Sequence, residues 1–527
     1  MEGPSKFVRS VLRTSSLLFL LAAAPSARAQ AYQVPEELRR RPELPDAMDP
    51  RSARPLALAE AIQIAVRQNL GIVLAREQET ATDESIHVAW GRSFEPSVNA
   101  SLSLSNVSSP PPISLLSNGD SAVQLATVTG NWNVGYFQRL ETGTQLSLSF
   151  TNQRTSISPA TTASLLYNAG ISAQLVQPLL KGFAFDLSIP RADVLRAKFA
   201  STRAKDDVRI AIIATVHATD DAYWDLVQAV KNYEVERESL KLAVEQLELT
   251  KRHIAAGILA TADLISAEST EAQRELSLVQ AEAAIGTAAD VLRHVINLPR
   301  EEWARPILPI DPPPFSDRTV DLDSAEQLAL RNRPEMAQHR LDVDAAHFDV
   351  HVAKTNQMPE LDTTFSYGLV GQQATYADTL TQTFNGSVPA WSAGVNFTWS
   401  PMMRAARAQV AALKATENAM KTQLAQAGLD LYSELRVDLR ALDLGARQVR
   451  AAGKFRDLAQ QALDAEERKF LQGTSSNFVV AQRQADVASA RQDELAALIA
   501  HRKSSTALDA AMGVLLEERG IRLDAPR

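Results

Sequence analysis

The chain carries a seam of apolar residues on a predicted helix that is longer than a compact domain needs. The residues of the seam follow one another at alternating intervals of four and three, and only Arg237 and Lys251 among them are polar. They occupy positions 226, 230, 233, 237, 240, 244, 247, 251 and 254. Such a heptad pattern is typical of helices that pack side by side. It predicts a helix from about Arg191 to Ala256, roughly 100 Å long at 1.5 Å per residue. A second helix, from about Asp263 to Ile296, is predicted to run back along the first.

The same pattern returns in the second half of the chain at a constant offset. Matching residues are 216 positions apart, as in Arg191 and Arg407, Val194 and Val410, Gly257 and Gly473, and Leu292 and Leu508. A constant offset indicates that helices pack along their whole length and tolerate no insertion. The repeat predicts a second hairpin, with helices over about 407–471 and 477–512, and an internal two-fold duplication. Each copy opens with a short helix, near Leu58 in the first and near Leu322 in the second.

Between the short and the long helices, each copy contains segments in which apolar and small polar residues alternate. The apolar positions are Val98, Ala100, Leu102 and Leu104, then Leu146, Leu148 and Phe150, then Leu361, Phe365, Tyr367 and Leu369, and Ala393, Val395, Phe397 and Trp399. Period-two alternation of this length is typical of membrane β-barrels, although strands of a soluble sandwich also alternate.

The number of predicted strands requires assembly. The second copy supplies two strands, and the first supplies two, or four if residues 126–136 and 145–153 form an extra hairpin around Glu141-Thr142-Gly143. Four to six strands cannot close a barrel, since the smallest filled barrels have about eight. Several protomers are therefore expected to share one barrel.

The N-terminus has the pattern of an export signal. Lys6, Arg9 and Arg13 precede an apolar run from Leu17 to Ala24, and Ala27-Arg28-Ala29 follows as a small-x-small cleavage site. This predicts a signal peptide over 1–29 and a mature chain that begins at Gln30. The apolar run is shorter than the roughly 18 residues needed to span a bilayer, and no later stretch is predicted to be a transmembrane helix.

Composition and motifs exclude several classes of function. The net charge of −8 offers no basic face for nucleic acid, and the absence of cysteine excludes disulfides and thiolate metal sites. His347 and His351, with Asp344 nearby, could in principle hold a metal, but no third ligand is fixed and surface histidines are favoured. A phosphate loop, an HExxH motif and a nucleophile elbow are all missing. We therefore predict no catalytic site, no cofactor, no metal and no enzymatic activity.

These patterns divide the chain into six parts. They are a signal peptide (1–29), an extended N-terminal linker (30–55), repeat 1 (56–298, with a β-segment at 97–180 and a helical hairpin at 191–298), a Pro-rich connector (299–320), repeat 2 (321–515, with a β-hairpin at 360–401 and a helical hairpin at 407–515) and a C-terminal tail (516–527).

Two copies of helix, β-hairpin and long helical hairpin with a Gly turn, over most of residues 56–515, resemble the TolC-like outer-membrane efflux family, the outer membrane factors. The resemblance implies an α+β membrane protein, a homotrimer whose strands form one shared transmembrane β-barrel in outer-membrane lipid. Its long antiparallel, coiled-coil helices would continue the barrel across the periplasm of a Gram-negative cell. The family usually has four strands per subunit, so an extra hairpin would be a departure.

The resemblance also implies partners and a function. The channel would dock on a periplasmic adaptor, a membrane fusion protein, and through it on an inner-membrane transporter. It would act as a passive exit duct in tripartite efflux or type I secretion. The rival interpretation is a soluble periplasmic coiled-coil adaptor or structural rod.

The family's hairpins turn at the periplasmic tip, where adaptors bind and the entrance closes. Gly257-Ile258-Leu259-Ala260-Thr261-Ala262-Asp263 is similar to the first tip, and Gly473-Thr474 to the opening of the second. The resemblance implies adaptor docking at Gly257, Ile258, Leu259, Ala260, Asp263, Gly473 and Thr474.

The same comparison gives five candidates for the aperture: Asp263, Phe470, Ser475, Asn477 and Val479. In the family an Asp at the first position pairs with an Arg and a Tyr, which are here Ser475 and Phe470, so the familiar lock is missing. Two alternatives remain for Asp263: pairing with Arg468, Lys469 or Arg483, or a role as the N-cap of the returning helix.

Overall fold

The structure is a computed structural model that describes residues 53–109, 125–158, 165–257, 259–313 and 315–521. The predicted signal peptide and residues 30–52 lie outside the described residues. From Arg54 onward, the described residues form one compact unit.

The first half of this unit runs from a short strand through four longer strands to a helical hairpin. Its elements are β1 (Arg54–Leu56), α1 (Leu58–Gln68), α2 (Leu70–Phe94), β2 (Ser97–Ser109), β3 (Leu125–Arg139), β4 (Gln145–Ser158), β5 (Leu165–Pro178), α3 (Ala192–Ala255) and α4 (Thr261–Val295).

The second half repeats that order with fewer strands. Its elements are β6 (Ile307–Pro309), α5 (Leu322–Asn332), α6 (Pro334–Thr355), β7 (Glu360–Gln373), α7 (Tyr376–Phe384), β8 (Pro389–Thr398), α8 (Arg404–Leu471), α9 (Asn477–Ala511) and α10 (Leu515–Glu518). A short 3-10 turn at Arg300–Glu302 precedes β6.

Two long helical hairpins make up nearly half of the described residues. Helix α3 has 64 residues and α8 has 68, so each is about 100 Å long at 1.5 Å per residue. Each packs against its returning helix, α4 or α9, and α3 also contacts α9 of the other hairpin. Along α8 the buried positions include Leu431, Leu435 and Leu442, which join α5 and α9 in one apolar cluster.

Strands β2 to β5, β7 and β8 form one antiparallel sheet in the order β2-β3-β4-β5-β7-β8. The first half therefore supplies four strands to this sheet, and the described residues supply six. The turn between β3 and β4 holds Gly143 at φ +80° and is fixed to the helices by Glu141. That carboxylate accepts a 3.0 Å bond from Nε1 of Trp90 and lies 2.5 Å from Nη2 of Arg191.

The described end of the expected N-terminal linker pairs with the Pro-rich connector. Residues 54–56 pair with residues 307–309 as a two-stranded parallel sheet. Nearby, Oδ2 of Asp311 accepts bonds of 2.7 Å from the backbone N of Leu58 and from Oη of Tyr223. These bonds tie the connector to α1 and α3, because Asp311 satisfies a free helix N–H and a buried hydroxyl together.

Two predicted segments differ from the structure. The expected β-hairpin at 360–401 contains a helix, α7, which Thr375 caps by accepting a bond from the backbone N of Asp378. The expected tail at 516–527 is structured as far as Ile521, where the description ends. Burial of Leu515 and Leu516 and the bond from Arg519 to Asp220 hold this part against the helices.

One described stretch, Leu58–Phe94, meets a length and hydropathy criterion for a membrane span, with a mean hydropathy of 1.2. It consists of two helices, because Asn69 lies between them with extended backbone and caps α2. The first helix has 11 residues, too few for a bilayer that needs about 20. The second carries charges from Arg76 to Glu84.

Candidate channel entrance and conduit

The two hairpin tips are tight glycine turns at the same end of the long helices. Gly257 has φ +75° and Gly473 has φ +72°, and a Cβ at either position would meet nothing within 4 Å. Glycine is therefore required by the left-handed backbone and not by crowding. Ile258, a predicted docking residue, lies outside the described residues.

Asp263 caps the returning helix α4. Its Oδ2 accepts a 3.2 Å bond from the backbone N of Ala260, where a free helix N-terminal donor needs a partner. The three cations considered as partners bond elsewhere within the chain. Arg468 donates to the carbonyl of Asp464, Lys469 pairs with Glu466, and Arg483 pairs with Asp486. Asp263 is therefore a capping residue, but as the third residue of α4, and the N-cap itself is Ala260.

Asn477 connects the two hairpins. It is buried at the start of α9, its Nδ2 donates a 2.8 Å bond to Oγ1 of Thr250, and its Oδ1 accepts from Nε2 of Gln246. Both partners lie on α3. The sequence suggested Asn477 as an aperture residue but did not indicate this pairing with the other hairpin.

Phe470 makes a second contact between the hairpins. Its ring stacks on His253, the centroids being 6.3 Å apart and the planes inclined by 18°. Because His253 lies near the end of α3, this contact is closer to the tips than the Asn477 bonds. Because the contact is a stack of two rings, it needs an aromatic side chain at position 470 but no hydroxyl group.

The other aperture candidates stay within their own hairpin. Oγ of Ser475 donates to Glu466, which also accepts a 3.0 Å bond from Lys469. The bond from Ser475, followed by that from Lys469, lowers the pKa of Glu466 below its usual range. Val479 is half-buried on α9. Ser475 and Glu466 thus stabilise the turn, and neither reaches α3 among the contacts described.

The tips carry apolar side chains that the sequence patterns did not single out. Ile265 is 70% exposed, Leu471 84% and Phe478 68%. Leu259 is half-buried and Ala260 exposed, whereas Thr474 bonds back to the carbonyl of Lys469 through both its N and its Oγ1. An exposed apolar set around two rigid turns is a surface suited to protein contact.

The six-stranded sheet has two chemically different faces. On one, small hydroxyls bond across strands, as in Ser149 with Ser172 and Ser366 with Ser392, each at 2.8 Å. The other carries the apolar residues, of which Leu102, Leu104, Trp391 and Val395 are 69–84% exposed. Since side chains alternate strictly along each strand, the antiparallel register places all of these on one surface.

His347 and His351 do not converge on one site. His347 lies 3.2 Å from Oε1 of Glu417, and His351 lies 2.8 Å from Oδ2 of Asp186. The bond from His351 is the main cause that lowers the pKa of Asp186. Within the described ranges, no group of three or more His, Asp or Glu side chains has the arrangement of a metal site.

A sheet with one apolar and one polar face, continued by helices about 100 Å long, defines the class of outer-membrane channel proteins. Residues 326–514 match the family model described as outer membrane efflux protein. No curated protein sequence matches the chain.

Solved structures of outer-membrane channels share the fold over most of the chain. OprN is 17% identical to this chain, with a TM-score of 0.63, and the match covers 86% of this chain and 89% of OprN. CmeC of Campylobacter jejuni is 14% identical, with a TM-score of 0.63, and the match covers 87% of this chain and 86% of CmeC. MtrE of Neisseria gonorrhoeae, in an open state, is 16% identical, with a TM-score of 0.59, and the match covers 87% of this chain and 89% of MtrE. Residues 326–514 thus carry an outer membrane efflux protein domain, and the chain as a whole shares the fold of these outer-membrane channels.

Proposed function

We propose that this chain is the subunit of a passive exit duct that carries substrates from the periplasm to the exterior. A periplasmic adaptor and an inner-membrane transporter would deliver them, in tripartite efflux or type I secretion. One observation carries the proposal. A single chain joins a sheet with one lipid-compatible and one water-compatible face to helical hairpins about 100 Å long.

The duct is a homotrimer in this proposal. Strands β2 and β8 are the two edges of the sheet and have no neighbour on their outer sides among the described residues. Six strands are too few to close, and open edges in a membrane leave backbone groups without partners. Three chains that pair β2 with the next β8 would close a barrel of about 18 strands. We interpret the two helix-strand-hairpin halves as an internal duplication.

Adaptor docking is assigned to the tips. The predicted residues Gly257, Leu259, Ala260, Asp263, Gly473 and Thr474 form or flank the turns, and Ile265, Leu471 and Phe478 expose apolar area around them. Closure of the entrance is assigned to the contacts of Asn477 and Phe470 with α3. Moving the second hairpin away from α3 would open the entrance.

Disulfide trapping of the proposed edge pairing tests the assembly, because the chain contains no cysteine. Single cysteines along β2 are combined with single cysteines along β8, and the purified mature protein is oxidised. Cross-linked trimers at a regular set of residue pairs are expected, together with stepwise conductance in planar bilayers. Cysteine pairs placed on β3 and β7, which are interior strands, serve as controls and should give no link between chains.

The rival interpretation, a soluble periplasmic rod, predicts the opposite result. The purified chain would then stay a monomer without detergent, would give no cross-link between β2 and β8 and would not conduct. We propose no enzymatic role, because residues 326–514 match a family model of efflux proteins.

A further inference from the structure

Helix α7 lies directly on the apolar face of the sheet, at the end opposite the helical hairpins. A Cβ at Gly371 of β7 would come within 2.3 Å of the carbonyl O of Thr379 and of Oγ1 of Thr383. Both threonines are fully buried, and their hydroxyls donate 3.3 Å bonds to the carbonyls of Tyr167 and Ala169 on β5. The helix is therefore fixed to two neighbouring strands by close packing and by hydrogen bonds.

An aromatic cluster extends this attachment across the sheet. Tyr376 of α7 packs edge-on against Trp132, at 5.3 Å, and beside Tyr167, at 5.8 Å. Its Oη accepts a 3.2 Å bond from Nε1 of Trp132 and donates a 3.0 Å bond to Oδ1 of Asn152. Asn152 is only 2% exposed, so α7 covers an amide that would otherwise stand on the apolar face.

The outward side of α7 carries apolar and polar residues together, because Asp378 and Thr381 are exposed there beside Ala377 and Phe384. Phe384 touches Phe150 of β4, at 6.2 Å between ring centroids, yet stays 62% exposed. Ala377 lies seven residues earlier and is also exposed, so the two share one helix face.

The height of α7 above the lower edge of the apolar face fits a membrane boundary. Leu361, the first apolar residue of β7, and Gly371 are 371 − 361 = 10 residues apart. At about 3.3 Å per residue and a tilt of about 40°, that separation spans a height of about 25 Å. The apolar band of outer-membrane barrels is also about 25 Å tall, with aromatic residues at its margins. Helix α7 and its aromatic cluster thus coincide with the outer margin of the band.

We propose that α7 is an interfacial helix that lies in the outer leaflet, between acyl chains and headgroups, and contacts lipid through Ala377 and Phe384. The proposal rests on the proposed function, because it needs the apolar face of the sheet to face lipid. The outer side of α7 combines exposed Ala377 and Phe384 with exposed Asp378 and Thr381. Apolar residues buried about 5–10 Å into the boundary, with polar residues toward the headgroups, are characteristic of interfacial helices. Its occupant is membrane lipid, since its surface is continuous with the lipid-compatible face.

Depth-dependent quenching tests the position of α7. Single cysteines replace Phe384 on α7, Phe365 near mid-height on the apolar face and Ser366 on the polar face, and each carries a bimane fluorophore. The full trimer is placed in phosphatidylcholine nanodiscs with nitroxide either near the headgroup or near the chain end. Ala377→Cys is a second α7 position, should Phe384→Cys fail to assemble.

The expected result has three parts. Label at 384 or 377 is quenched more by the shallow nitroxide, label at 365 more by the deep one, and label at 366 by neither. If 365 is quenched but 384 and 377 are not, α7 lies in water or under another chain, and the inference is wrong while the channel proposal stands. Deep quenching at 384 and 377 also overturns the interfacial position. If the label at 365 is not quenched, the apolar face of the sheet does not contact lipid, and the proposed function fails.

Discussion

Nδ2 of Asn477 and Oγ1 of Thr250 lie 2.8 Å apart, and their hydrogen bond joins the second helical hairpin to the first just above the tips. Both side chains are more than nine-tenths buried. A buried amide that loses its partner costs about 1–3 kcal/mol, so this contact opposes separation of the hairpins.

Asn477→Ala is expected to loosen the entrance. The variant removes the bonds to Thr250 and Gln246 together, and in a trimer it does so three times. We expect larger single-channel conductance and greater uptake of bulky antibiotics in cells. Gln482→Ala is the matched control, because Gln482 lies on the same helix and donates a 3.2 Å bond to Asp486 within it. Equal conductance of Asn477→Ala and the parent protein would contradict the assignment of closure to this contact.

Two glycine substitutions in the same hairpin should change stability in opposite directions. Gly473 has φ +72°, so Ala there should destabilise the second tip by about 1 kcal/mol. Gly428 lies within α8 with open space around its Cβ position, so Ala there should stabilise the helix by about 0.5–1 kcal/mol. Denaturation midpoints of the detergent-solubilised trimers measure both effects. A loss of stability in Gly428→Ala would show an unrecognised contact at that face.

The elements that could be predicted from sequence are those set by local periodicity. The four-three seam predicted α3 to within one residue at each end. The alternation of Leu146, Leu148 and Phe150 predicted a strand there, β4, but left open whether the first half holds two strands or four. Left-handed turns at Gly257 and Gly473 also follow from residue type, because few other residues adopt that backbone.

What could not be predicted depends on contacts between distant segments. Thr250 and Asn477 are 227 residues apart, and nothing local marks them as partners. Helix α7 has only nine residues, and its place on the sheet depends on the missing side chain of Gly371. The one local signal for α7 was Thr375 three residues before Asp378, the spacing of a helix cap. The docking role of the tip residues stays a prediction.

Asp220→Ala should be among the most destabilising single substitutions. The carboxylate is fully buried, accepts a 2.8 Å bond from Thr506, bonds to Arg519 and lies 3.9 Å from Arg502. Removing it leaves two largely buried guanidinium groups without their counter-ion, at a cost of about 3–5 kcal/mol.

Asp225→Ala is the control for that substitution. Asp225 pairs with Lys503 at 2.6 Å but is 52% exposed, and an exposed pair contributes about 0–1 kcal/mol. Thermal midpoints of the assembled protein in detergent compare the two variants. A similar small shift in both would mean that water reaches Asp220 and that its burial does not determine its energetics.

The pH dependence of stability should reveal whether burial or ion pairing controls Asp509. Its pKa is raised above the usual 3.8, mainly because burial penalises the charged carboxylate, although Arg318, 2.7 Å away, opposes the shift. A carboxyl whose folded-state pKa is raised favours folding below the unfolded value, and that contribution is lost as the pH rises through the folded value. The stability of the parent relative to Asp509→Asn should therefore fall as the pH rises from 3.8 through the raised pKa, and then level off. Asp493→Asn, exposed on the same helix, controls for the loss of one charge. If the parent instead gained stability relative to Asp509→Asn over that range, the pair with Arg318 would outweigh burial.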